Sequence, residues 1–199
     1  MIAERRDPLP KVESAPKRHW WLLAGLAAVW LAIVFVLLLG LNMRRSLNHD
    51  EHQFVASAAL MARQDMLPYR DFPYFHVPTL SIIYALIFRF TDYLLLGARW
   101  FSVVCSWLTL AVLLAAALVW LRNLRPSGRL MVGVLVTLLV MNAPTFLHAS
   151  GRAWNHDFPT LLTLAAAFLQ ATWLPRARRS VAWLLLIGLL VGLATGARA

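Results

Sequence analysis

Two short stretches hold acidic and imidazole groups at spacings that could support proton transfer. The first is Asn48-His49-Asp50-Glu51-His52, and the second is Asn155-His156-Asp157. A carboxylate in either place could act as a general base toward a hydroxyl group. A carboxylate with a neighbouring imidazole could also take a divalent cation. By residue type, His49, Asp50, Glu51, His52, His156 and Asp157 make a candidate ligand set, with His156 the metal candidate in the second stretch. Their spacing matches no strong metal motif, and a solvated loop surface is the simpler reading of any one histidine.

Arginine is the other chemically relevant residue type. Arg70, Arg99, Arg152 and Arg198 lie near the same regions, and a guanidinium can form two-pronged bonds to a phosphate. The competing use of an arginine at a helix end is snorkelling to a membrane interface. Tyr69 stands beside Arg70 in an aromatic, proline-rich stretch, where it can stack on a sugar ring or anchor the loop.

These residues are embedded in a chain that is 60% hydrophobic and contains nine Trp among 199 residues. A soluble domain uses about 45–50% apolar residues. The apolar residues come in blocks long enough to cross a bilayer, which needs about 20 residues per helix. The expected fold is therefore all-α: a polytopic transmembrane helical bundle. Residues 1–19 form a polar, basic tail and residues 20–199 a transmembrane domain with spans at about 20–41, 98–121, 130–147, 158–174 and 181–197. The first apolar block is too long for a signal peptide and has no small-residue cleavage site behind it. The formal charge of +10 does not indicate nucleic acid, because the basic residues gather beside apolar blocks rather than on one face of a soluble fold. Cys105 is the only cysteine and lies within an apolar run, so no intramolecular disulfide forms.

Residues 42–97 make a long first loop between spans. Within it, Phe54, Val55, Ala58, Ala59, Met61 and Ala62 recur at helical spacing, which predicts an amphipathic helix over 51–66 on the membrane surface. Pro68 ends that helix. Three prolines and four aromatics over 68–78 predict an extended interfacial segment, and the short apolar run 79–91 predicts a second interfacial or re-entrant helix.

The charge distribution sets the expected orientation. The turns 122–129 and 175–180 carry six Arg and no acid, whereas loops 42–97 and 148–157 hold six acids and five of the six His. The positive-inside rule places the tail and the basic turns in the cytoplasm. Asp50, Glu51 and Asp157 then share the outer face. Arg44 and Arg45 run against the rule.

Several elements in order resemble one family. They are Asp50-Glu51-His52-Gln53-Phe54, Ala58-Ala59-Leu60, Leu67-Pro68-Tyr69-Arg70-Asp71-Phe72, Pro78 with Tyr84, and Arg99 with Ser102. Asn155-His156-Asp157-Phe158-Pro159 and Gly192-Leu193-Ala194 with Arg198 follow. The set resembles the GT-C polytopic membrane glycosyltransferases, nearest the branch of protein O-mannosyltransferases and the aminoarabinose and galacturonic acid transferases of lipopolysaccharide. The resemblance implies a sugar donor carried on a polyprenyl phosphate, an acceptor hydroxyl on a lipid, glycan or protein, and residence in a bacterial inner membrane. It also implies that Asp50 is the catalytic carboxylate with Glu51 beside it, that Asp157 is a second acid orienting the acceptor or a divalent metal, and that the arginines hold the lipid phosphate. Members of that family are longer, so the resemblance implies an N-terminal portion of such an enzyme. A non-catalytic membrane subunit or an inactive truncated fragment is the alternative. The sugar and the acceptor are not encoded in these residues.

Overall fold

The computed structural model of the chain describes residues 17–172 and 181–198. The basic tail up to residue 16 and the basic turn 175–180 lie outside the described residues. Every regular element described is helical: α1 (Lys17–Met43), α2 (His49–Gln64), α3 (Thr79–Phe88), α4 (Leu94–Trp120), α5 (Pro126–Asn142), α6 (Pro144–Ala149), α7 (Asp157–Thr172) and α8 (Val181–Arg198). The all-α expectation is met. Two segments, Trp20–Met43 in α1 and Leu94–Trp120 in α4, are long and apolar enough to cross a membrane. At about 1.5 Å per residue, α4 is roughly 40 Å long.

The third apolar run differs from its expected bounds of 130–147. The helix starts four residues earlier, at Pro126, and stops at Asn142. Both changes follow from proline. Pro126 sits at the first helical position, where its missing N–H costs nothing. Pro144 pushes Ala143 into extended backbone (φ −67°, ψ 128°), and the chain restarts as the separate six-residue α6.

The 42–97 region contains the helix that periodicity predicts over 51–66, as α2, and the helix expected of the short apolar run 79–91, as α3. Asn48 caps α2: its side chain accepts from the Asp50 N–H at 2.9 Å, while Glu51 accepts from the Asn48 N–H at 2.9 Å. The Asn48 side chain also accepts from the Glu51 backbone N–H, and this bond and the return bond from Asn48 N–H to Glu51 form a capping box that satisfies donors the helix start would otherwise leave open. Between α2 and α3 the chain is irregular. A tight turn at 67–72 places Tyr69 at φ +67°, and the Asp71 carboxylate holds it by accepting from the Leu67 N–H at 2.7 Å.

Helix α4 is the axis of the molecule. It packs against α1, α2, α3, α5 and α7, and it buries residues around much of its circumference, from Ala98 and Val103 to Leu110 and Leu114. One apolar cluster joins Val34 and Leu38 of α1 to Val103 and Leu110 of α4. A second surrounds Phe54, Leu80, Tyr84, Phe88 and Ala98, and it reaches Ala153 and Ala197. Indole N–H groups link helices across the bundle. Trp107 donates to the Leu31 carbonyl and Trp30 to Thr137 Oγ1, both at 2.9 Å, and Trp120 donates to Thr172 Oγ1 at 3.1 Å. Helix α5 approaches closely at Gly133, where a Cβ would stand 2.5 Å from a Leu114 methyl group. By contrast, α1 turns Trp21, Leu22, Leu26, Val29 and Val36 outward.

Candidate functional site

The ordered loop between α6 and α7, residues 150–156, brings the two acidic stretches together. Asn42, buried near the end of α1, defines one wall of the site. Its amide donates to the Leu38 carbonyl at 2.8 Å. Gly151 lies directly against it at φ +73°, and a Cβ there would come within 2.2 Å of the Asn42 amide. Both the left-handed backbone and the contact require glycine at that position.

Glu51 is the centre of the first half of the site and is fully buried (0% exposed). Helix α2 turns it inward onto Arg99 of α4, itself buried. Arg99 Nε donates to Oε1 at 2.9 Å and Nη2 donates to Oε2 at 2.7 Å, a two-pronged pair. The remaining guanidinium bonds go to backbone carbonyls. Nη1 donates to Asn42 at 3.1 Å and to Arg45 at 2.9 Å, and Nη2 donates to Ser46 at 3.0 Å. Five bonds use all five N–H donors of a guanidinium. Glu51 is equally occupied: besides Arg99 and the Asn48 N–H, its Oε1 accepts from the Ala153 N–H at 2.9 Å. Burial alone would raise the Glu51 carboxyl. The Arg99 guanidinium and the N–H groups of Ala153 and Asn48 overcome that and hold it below the ordinary carboxylate value.

Asp157 forms the second half. It is the first residue of α7, ahead of that helix's apolar run, and is 7% exposed. Its Oδ2 accepts from the Gly151 N–H at 2.7 Å. The Ser106 hydroxyl of α4 bonds to the same carboxyl and also accepts from the Gly151 N–H, at 3.2 Å. Among the described residues Asp157 has no ion-pair partner in direct contact. Burial pushes its carboxyl up to about 7, opposed by Ser106, by Gly151 and by the more distant charge of Arg45.

Arg45 completes the wall. It donates to Asn42 Oδ1 at 3.0 Å, to the Ser150 carbonyl at 3.0 Å and to the Leu147 carbonyl. It therefore satisfies carbonyls at the end of α6. Burial, together with the charges of Arg152 and Arg99, lowers Arg45 from its ordinary value. Arg45, which runs against the expected orientation, thus has a structural use.

The sequence-derived candidates separate into groups. Glu51, Arg99 and Asp157 are brought to one place through the 150–156 loop. Asp50 adjoins them but faces the other way: its side chain is 58% exposed, with His49 Nδ1 3.9 Å from Oδ1. Arg152 belongs to the loop, where it donates to the His148 carbonyl at 2.9 Å and lies over the Trp154 ring at 5.2 Å. Arg70 and Tyr69 are elsewhere, in the turn beyond the far end of α2. Arg70 is exposed and engaged by Asp71 through two bonds, at 2.9 and 2.7 Å. The Tyr69 hydroxyl donates to the His76 carbonyl. Arg198 ends α8, and its side chain lies outside the described residues.

The metal-ligand set does not assemble. Among the described residues no three His, Cys, Asp or Glu side chains group to hold a metal ion. Glu51 turns inward to Arg99, whereas His49, His52 and His156 are exposed, and the His156 ring sits 5.4 Å from the ring of Trp154. Asn42, Arg45, Ser106, Gly151 and Ala153 are site residues that residue type alone does not reveal. A sequence signal existed for one further participant, since Asn48-x-x-Glu51 has the spacing of a capping box.

No known protein family matches this chain, and no curated protein or solved structure matches it.

Proposed function

We propose that this chain is part of a polytopic membrane glycosyltransferase that moves a sugar from a polyprenyl-phosphate donor to an acceptor hydroxyl at the outer face of a bacterial inner membrane. The observation that carries this reading is the placement of Asp50. It is an exposed carboxylate in the first turn of a capped helix, next to a buried acid-base framework, at one end of the long apolar helices α1 and α4. The ordered resemblance to the GT-C transferases adds the reaction class.

The chemistry assigns roles by exposure. Asp50 takes the proton from the acceptor hydroxyl. The acceptor oxygen then bonds to the anomeric carbon, the bond from that carbon to the phosphate oxygen breaks, and the electron pair leaves with the lipid phosphate. Positive charge near the departing phosphate stabilises it. Arg152, at the partly exposed edge of the loop, is the available cation, since Arg99 is occupied by Glu51 and backbone carbonyls. Asp157 orients the loop that bears Arg152. In this reading α5, α7 and α8 join α1 and α4 as membrane helices, and α2 and α3 lie at the interface.

The test is Asp50→Asn in membranes supplied with polyprenyl-phosphate sugars. Transfer is expected to fall by about 10²–10⁴-fold, the range for loss of a positioned base. Transfer at the wild-type rate removes Asp50 from the mechanism, whereas a wild-type chain that transfers no sugar favours a non-catalytic membrane subunit.

A further inference from the structure

We infer that Glu51 and Arg99 are positioning residues whose buried pair holds Asp50 and the Asp157 loop in one fixed arrangement. The inference rests on the reading of Asp50 as the acceptor base. Glu51 bonds at once to three separate parts of the chain. It accepts from the Asn48 N–H at the start of α2, from Arg99 of α4, and from the Ala153 N–H of the 150–156 loop. Arg99 extends the framework to the carbonyls of Asn42, Arg45 and Ser46, which close the link between α1 and α2. A rotation of the first turn of α2 would carry Asp50 with it and would break the Glu51 bonds to Arg99 and Ala153 together. A movement of the loop would break the Ala153 bond on one side and the Gly151 bond to Asp157 on the other. The two half-sites therefore cannot shift independently while the pair is intact.

Neither member has capacity left for substrate. All five Arg99 donors are used, and each Glu51 oxygen accepts two bonds. Glu51 has no exposed surface. The pair acts on the reaction through Asp50 and the loop.

The test separates position from stability. Removing one partner of a buried pair is strongly destabilising, while replacing both with apolar residues of similar volume is often neutral. Glu51→Gln, and the double variant Glu51→Leu with Arg99→Met, are compared with the wild-type chain in lipid nanodiscs. Backbone hydrogen exchange is read in the first turn of α2 and at Ala153. Spin labels placed at His49→Cys and His156→Cys, with Cys105→Ser, report the distance between the half-sites. Glu51→Gln is expected to accelerate exchange at both places together, by on the order of 100-fold. The double variant is expected to melt within a few degrees of wild type yet show a broadened label distance. A double variant that keeps one sharp wild-type distance, or Glu51→Gln with unchanged exchange at Ala153, overturns the inference. A wild-type chain that transfers no sugar fails the transferase reading instead, and the exchange and distance measurements still decide this one.

Discussion

Glu51 and Asp157 are two buried acids that accept backbone N–H groups from the same loop, Ala153 and Gly151, yet they reach opposite electrostatic states. Glu51 has a two-pronged guanidinium partner and is held below the ordinary carboxylate value. Among the described residues Asp157 has a hydroxyl, an N–H and the more distant charge of Arg45, and it is pushed up to about 7. Burial raises both carboxyls, Asp157 the more strongly, and the two also differ in partner. A full opposite charge within bonding distance outweighs desolvation, and neutral hydrogen bonds do not. One side of the loop is thus fastened by a carboxylate that stays charged at neutral pH, and the other by a group that changes charge near it.

Removing the partner is the strongest way to break this contrast. Arg99→Ala leaves Glu51 buried without a counter-charge and is expected to cost about 3–5 kcal/mol, read as a large fall in melting temperature. The same variant should move Glu51 toward the behaviour of Asp157, so that stability becomes greater at pH 5 than at pH 8.

The pH dependence itself sharpens the comparison. Asp157 titrates near 7 when folded against an ordinary value of 3.8. Its contribution is fully present below about pH 4 and is lost as pH rises through 7, with a slope of up to about 1.4 kcal/mol per pH unit inside that window. Glu51 has the opposite sign. Its contribution is present above the ordinary carboxylate range and is lost as pH falls through its lowered value. Asp157→Asn is therefore expected to flatten the decline in melting temperature between pH 5 and pH 8 and to leave the acid-side loss in place. An unchanged slope in this variant assigns the titration to another group.

The smallest effect concerns the cap. Asn48→Ala removes the side-chain bond to the Asp50 N–H but keeps the Glu51–Arg99 pair, and it is expected to cost about 1 kcal/mol. Faster hydrogen exchange should be confined to the first turn of α2 and absent at Gly151. Spread of the effect to Gly151 would mean that the cap, and not the Glu51–Arg99 pair, holds the loop in place.

Much of the helical layout was legible from hydrophobic periodicity. The amphipathic helix expected over 51–66 is α2, and the short apolar run after the prolines is α3. Run length alone misplaced α5, because proline chemistry at Pro126 and Pro144, rather than hydropathy, decides where that helix starts and stops. The candidate site was only partly legible. Neighbouring residues on a helix point about 100° apart, so Asp50 and Glu51 look equivalent in the sequence while one meets solvent and the other meets Arg99. Arg45 read as a misplaced topology charge because its partners, the carbonyls of Leu147 and Ser150, are about a hundred residues away. Ser106 and Ala153 carry no signal of their own, since a serine in an apolar helix and a loop N–H become functional only through what faces them.

The sequence by itself determined an all-helical chain with acids and arginines near the ends of its apolar runs; of the five spans expected from those runs, two described helices are long and apolar enough to cross a membrane. Local physics suffices for that, because apolar run length and helical period are properties of contiguous residues. Only the tertiary structure decided which acid is inside, which arginine is consumed in holding it, and that one loop joins the two acidic stretches. Those outcomes depend on the packing of α1, α2, α4 and α7, which pairs residues separated by 48 and 102 positions and sets the burial and partners that determine each charge.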